Sequence, residues 1–87
     1  MQLTGLLKVK GDTRIINERF QVREFVITED STKWQQHITF QLIQDTCDII
    51  EDITEGDRIR VKFEIRGKEW KDRYINSLIA TEVQRIK

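Results

Sequence analysis

The chain has 87 residues, 38% of them hydrophobic and 34% charged, and its 15 Lys and Arg residues balance 15 Asp and Glu residues. This length suffices for one small domain, and no apolar run approaches the roughly 18 residues that a membrane-spanning helix needs. A net charge of zero also argues against a protein that coats nucleic acid through bulk electrostatic attraction alone.

Charge is nevertheless distributed unevenly along the chain. Residues 45–57 contain six acidic side chains and no basic one, whereas residues 58–73 contain seven basic side chains and three acidic ones. Any attraction for a polyanion must therefore come from local clusters of cations.

Cys47 is the only cysteine, which excludes an internal disulfide and a metal site built from cysteine pairs. The first residues lack a basic segment followed by an apolar stretch and a cleavage site, so no secretory signal is predicted. We therefore expect a cytoplasmic protein.

Five segments alternate apolar and polar residues with the period of two that is typical of half-buried β-strands. These segments are residues 3–9, 19–29, 37–42, 58–66 and 73–83. Residues 45–53 change to the helical period, with three isoleucines on one side, and a short helix is predicted there. Gly67 is expected to end the fourth strand, and the broken alternation after Arg73 predicts a β-bulge in the fifth.

The order of three strands, one short helix and two strands predicts an all-β domain. An open antiparallel sheet of five strands would leave two edges exposed, whereas a closed barrel removes them, and the helix can cover an open end of that barrel. We predict a single OB-fold domain over residues 1–87, a five-stranded antiparallel barrel with the helix between strands three and four.

Several segments also resemble the bacterial single-stranded-DNA-binding protein family in their order and spacing. They are residues 34–40, the predicted helix, residues 55–61 and residues 68–74, together with residues 3–5 and 25–27 upstream. Closer still, the chain is similar to a group of short stand-alone domains of unknown function that are related to that family. The resemblance covers nearly the whole chain, and it implies an OB fold and assembly as a homodimer or homotetramer.

In that family, bases stack on aromatic residues at positions that resemble Trp34, Phe40 and Trp70. Trp70 matches well, because it lies in a charged hairpin where burial would be difficult. Phe40 shares its parity with Ile38 and Leu42, so we predict that it lies in the core instead. The chain stops directly after the last strand, without the long tail of the DNA-binding proteins, and we expect the barrel alone to act.

Proteins that bind single strands combine cations, which follow the phosphates, with aromatic faces on which bases stack. Trp70 lies among several cations within one short segment, and Trp34 directly follows a lysine. The candidate cations are Arg19, Arg23 and Lys33 around the second strand, Arg58, Arg60, Lys62 and Arg66 on the outer row of the fourth, and Lys68, Lys71 and Arg73 in the hairpin. For both tryptophans, packing over the barrel rim is an alternative, and for Trp34 so is a contact within an oligomer. A charged row can simply be the solvated face of a strand.

These features predict a non-enzymatic module that binds single-stranded DNA, or RNA, largely without sequence preference. His37 is the only histidine, and no glycine-rich phosphate loop is present, so the sequence predicts neither a Ser–His nucleophile nor a multi-histidine metal site. No cofactor is expected. A protein-interaction or assembly OB module without nucleic-acid binding remains an alternative, favoured by the acidic segment and the neutral net charge.

Overall fold

The computed structural model describes residues 1–86, which form six β-strands and one 3₁₀ helix. The strands are β1 (Gln2–Lys10), β2 (Arg14–Asn17), β3 (Phe20–Glu29), β4 (Gln36–Ile43), β5 (Arg58–Trp70) and β6 (Arg73–Arg85), and the 3₁₀ helix is Gln44–Asp48. Among these residues no helix combines the length and the apolar character needed to cross a membrane.

Five of the strands close into a barrel because β1 pairs with two neighbours. Its first half is antiparallel to β5, its second half is antiparallel to β3, and the remaining strands follow in the order β5, β6, β4, β3. Gly5 lies where β1 changes partners, and a Cβ atom there would collide with the carbonyl oxygen of Thr28. Only glycine allows this close approach of two backbones. The predicted five-stranded OB-fold barrel is confirmed.

The core of the barrel contains the inward-facing residues of the alternating segments. The fully buried members include Leu7, Phe25, Ile27, Phe40, Leu42, Ile59 and Val61. Phe40 lies with its ring centroid 5.5 Å from that of Phe25 and 5.0 Å from that of Phe63. The prediction that Phe40 belongs to the core and not to a stacking surface is therefore confirmed.

The segment that covers one end of the barrel is shorter and tighter than the predicted helix. A 3₁₀ helix spans Gln44–Asp48 and continues as turns, and Gln44 enters it with a φ of 53°. The Thr46 hydroxyl donates to the Ile43 carbonyl and accepts from the Ile43 N–H, which favours a tight turn over regular α-helix. Ile50 and Ile53 are nonetheless buried in the core, as their spacing predicted.

Strand β2 lies between the first two predicted strands, in a stretch where no strand was predicted. Ile15 and Ile16 favour extended backbone, and the side-chain oxygen of Asn17 accepts a hydrogen bond of 2.8 Å from the Arg19 N–H. This turn directs the chain back so that β2 pairs with the start of β3. Strand β2 lies outside the barrel and forms a free edge of the sheet.

The β5–β6 hairpin is longer than predicted, because Gly67 does not end β5. The turn falls at Lys71 and Asp72, whose φ values of 49° and 65° meet the requirement of a type I′ hairpin turn, which suits the twist of the two strands. All residues from 64 to 76 are exposed, so the hairpin extends away from the barrel. The bulge predicted in the last strand is confirmed at Thr81, where Lys62 pairs with Glu82 but Phe63 pairs with Ala80.

Candidate nucleic-acid interface

The β5–β6 hairpin gathers cations around an exposed tryptophan on one face. Alternation along β5 places Arg66, Lys68 and Trp70 on the same side. The pairs Trp70 with Arg73 and Lys68 with Ile75 bring two β6 residues to that side as well. These five residues are called the hairpin face below.

The Trp70 ring is available to a ligand. Its residue is 57% exposed, and the Lys71 Nζ atom lies 5.4 Å from the ring centroid, in a cation–π contact. The alternative in which Trp70 packs down onto the barrel rim is therefore not the arrangement observed. A base stacked on this ring would lie directly beside the positive charges that its phosphate needs.

Most cations of the hairpin are free of carboxylate partners. Lys68, Lys71 and Arg73 form no ion pair with any residue from 1 to 86. Arg66 contacts Glu64 at 2.9 Å, but both side chains are exposed, and such a pair contributes only about 0–1 kcal/mol. A phosphate could replace Glu64 at little cost.

The same face of β5 continues toward the barrel through Arg58, Arg60 and Lys62. Arg58 lies 3.2 Å from Asp30, and Lys62 lies 3.6 Å from Glu82. Within residues 1–86, Arg60 has no ion-pair partner. The row is thus partly engaged in surface ion pairs, and the hairpin face is the part with the most uncompensated positive charge.

Trp34 and its neighbour Lys33 lie in the loop between β3 and β4. Trp34 is 73% exposed, and the Lys33 Nζ atom lies 5.5 Å from its ring centroid. Both tryptophans thus combine an exposed ring with an adjacent ammonium group. Arg19 is also exposed, at the turn between β2 and β3.

Arg23 was predicted to be one of the cations that contact phosphates, but the structure places it in the interior. Its side chain is only 8% exposed, and its guanidinium donates to the Gly11 carbonyl at 2.6 Å, the Cys47 carbonyl at 3.1 Å and the Glu51 carboxylate at 2.8 Å. A hydrogen bond and the positive charge, both from Arg23, hold the pKa of Glu51 below its ordinary value. Arg23 fastens the 3₁₀ segment to the barrel, and we exclude it from the candidate interface.

Two features of the surface were not anticipated as site residues. Tyr74 is the most exposed aromatic residue at 78%, and its pairing with Glu69 places it on the side of the hairpin opposite the hairpin face. A polar cleft also lies between β4 and β6. His37, Thr39 and Gln41 alternate with the core residues of the third predicted strand and form one wall of this cleft, but the other wall depends on barrel closure.

In the described part of the chain, no three His, Cys, Asp or Glu side chains are grouped so that they could hold a metal ion. Comparison with curated proteins gave no sequence match. Residues 2–84 match a protein family described as a domain of unknown function, DUF3127.

Solved structures with the same fold include proteins of very different sequence. The mitochondrial single-stranded DNA binding protein Rim1 of S. cerevisiae aligns with a TM-score of 0.81 at 9% identity, over 100% of this chain and 94% of that one. The dimeric N-terminal domain of PriB from Thermoanaerobacter tencongensis aligns with a TM-score of 0.72 at 10% identity, over 100% of this chain and 94% of that one. The second single-stranded DNA binding protein of Mycobacterium smegmatis aligns with a TM-score of 0.71 at 14% identity, over 99% of this chain and 84% of that one. At such low identity the likeness establishes the fold alone.

Proposed function

We propose that the single OB-fold domain of this chain, which belongs to the DUF3127 family, binds single-stranded DNA largely without sequence preference. In this proposal the protein is a binding module and not an enzyme. Trp70 and Trp34 stack on bases, and the neighbouring cations contact phosphates. We place the protein in the cytoplasm, where the free thiol of Cys47 would stay reduced.

The hairpin face is the observation that carries the proposal. An indole ring that is more than half exposed lies among the cations of this face and of the adjoining turn. Of these cations, Lys68 and Arg73 on the face and Lys71 in the turn have no acidic partner within residues 1–86. Exposed apolar surface favours association with a planar base, and clustered solvated cations attract phosphates, so an extended polyanion with planar bases matches both features. Two of the structural relatives named above are single-stranded DNA binding proteins, which supports this choice of ligand.

A titration with oligothymidine tests the proposal. An oligonucleotide of about 30 bases exceeds the ~4–16 nucleotides that one OB fold occupies. Binding should quench the tryptophan fluorescence at low salt. If the four cations Arg66, Lys68, Lys71 and Arg73 contact phosphates, the logarithm of the affinity should fall with the logarithm of salt concentration at a slope of about −3. Absence of binding even at low salt would refute the proposal.

Self-association as a homodimer or homotetramer is the second part of the proposal. The free edge of β2 exposes two large apolar side chains, with Ile15 77% and Ile16 55% accessible. An edge strand with exposed isoleucines is a surface on which a second copy can pair. One structural relative is described as dimeric, which supports the expectation. Linked copies would raise the affinity for a long strand by supplying equivalent sites.

Sedimentation velocity tests this second part. The natural chain should sediment as an oligomer, and Ile15→Lys should convert it to a monomer because the charge cannot be buried in the pairing. Ile65→Lys is the matched control, since Ile65 is also exposed but lies on the hairpin. A monomeric natural chain would contradict self-association. If DNA binding is also absent, the β2 edge would favour the alternative, a module that contacts a different protein.

A further inference from the structure

The cleft between β4 and β6 exists because these strands separate. They run parallel and are paired at a single position, Gln41 with Ile79, whereas the other pairings of the barrel extend over several residues. Toward the start of both strands the gap opens to about 520 Å³, within the roughly 300–1,000 Å³ typical of small-molecule sites. The side chains able to hydrogen-bond in its lining are Glu24, His37, Thr39, Gln41, Asn76 and Ser77.

The charge of the cleft differs from that of the hairpin face. Its lining contains one carboxylate, that of Glu24, and no lysine or arginine. The lining therefore offers no cation to a phosphate, whereas the polar edge of a base would find hydrogen-bond partners. A strand that followed the cations of the hairpin with its phosphates could therefore direct bases toward this cleft.

Glu24 is positioned to select among bases. It lies on β3 directly opposite Gln41 of β4, so the two side chains share a face. Its Oε1 atom accepts from Arg14 at 3.3 Å, while Oε2 has no hydrogen bond within residues 1–86. Hydroxyl and amide groups can turn to donate or accept, but an ionised carboxylate can only accept.

We infer that the cleft binds nucleobases which present an exocyclic amino group to Glu24, and that it discriminates against thymine. Cytosine offers its N4 amino group as a donor at the position where thymine offers the O4 acceptor. Thymine would place two acceptors against each other. This inference rests on the proposed function and adds to it a preference for base composition.

Competition between oligocytidine and oligothymidine of equal length tests the inference without any variant. Both are pyrimidine strands, and a mildly alkaline buffer keeps cytosine unprotonated. We expect oligocytidine to bind at least about fivefold more tightly, the lower end of what a good hydrogen-bonded base contact provides. Equal binding, or tighter binding of oligothymidine, would overturn the inference while leaving the proposed function intact. If neither oligonucleotide binds at low salt, both the inference and the proposed function are refuted.

The Glu24→Gln variant tests whether Glu24 causes the preference for oligocytidine. The amide has nearly the same shape and can donate to thymine O4, so the affinity ratio should fall to about one, mainly because oligothymidine binds better. The same substitution frees Arg14 from its carboxylate partner. This should raise the affinity for both oligonucleotides by the same factor and so does not itself change their affinity ratio. Asp48→Asn, which removes an acid outside the cleft, should keep the ratio of the natural chain. A preference that survives Glu24→Gln would also overturn the inference.

Discussion

Replacing Trp70 by alanine should weaken DNA binding while leaving the fold nearly unchanged. The Lys71 ammonium lies over the ring at 5.4 Å, so the ring offers its remaining face to one base. Loss of one stacked base costs about 1–3 kcal/mol, which corresponds to roughly a 5- to 150-fold rise in Kd. Because Trp70 is 57% exposed on a hairpin beyond the core, its removal should change the free energy of unfolding by less than about 1 kcal/mol.

Anisotropy of a labelled oligothymidine is the suitable assay, since removing Trp70 also removes part of the fluorescence signal. Tyr74→Ala is the matched control, because Tyr74 is an exposed aromatic residue on the opposite side of the same hairpin. The Kd of the Tyr74→Ala variant for oligothymidine should stay within about twofold of the Kd of the natural chain. The reasoning is refuted if Trp70→Ala binds normally, or if both variants lose the same affinity. An unfolded Trp70→Ala chain would show instead that the ring stabilises the hairpin.

Three further predictions concern charge. The double variant Lys68→Gln, Arg73→Gln should flatten the log–log salt dependence by about 0.7 for each cation, and an unchanged slope would show that neither contacts phosphate. Arg23→Met should lower the free energy of unfolding by about 2–3 kcal/mol in urea, since the carbonyls of Gly11 and Cys47 lose their donor, while the salt slope stays the same. Because Arg23 lowers the pKa of Glu51 from 4.5, this carboxylate stabilises the fold above that pH, and the contribution is lost as pH falls through the lowered pKa. Urea denaturation between neutral and acid pH should therefore give a flatter stability profile for Glu51→Gln, and identical profiles would contradict the contact.

Alternation of apolar and polar residues predicted the barrel because each strand has one buried face. Phe40 illustrates this, since its parity with Ile38 and Leu42 placed it in the core against the expectation drawn from the resemblance. The same parity contained a signal for Arg23, which lies two residues before Phe25 and therefore points inward. Its partner Glu51 lies 28 residues further along the chain, and no local pattern could identify it.

Features that depend on tertiary geometry were not predicted. The hairpin turn uses Lys71 and Asp72 in positive φ, where the sequence indicated a break at Gly67, because the twist of two long paired strands determines the turn. The cleft beside Glu24 arises from the separation of β4 and β6, which are distant in sequence. Composition identified the cations around Trp70, but their common face became clear only from the register of β5 and β6.

Backbone amide NMR spectra recorded during an oligothymidine titration test the central claim most directly, since they report binding and its location together. The account predicts that the largest shifts fall on the hairpin residues 66–74 and on the indole N–H of Trp70, with smaller changes near Trp34. Unchanged spectra at low salt, or shifts confined to β2 and the 3₁₀ segment, would contradict it.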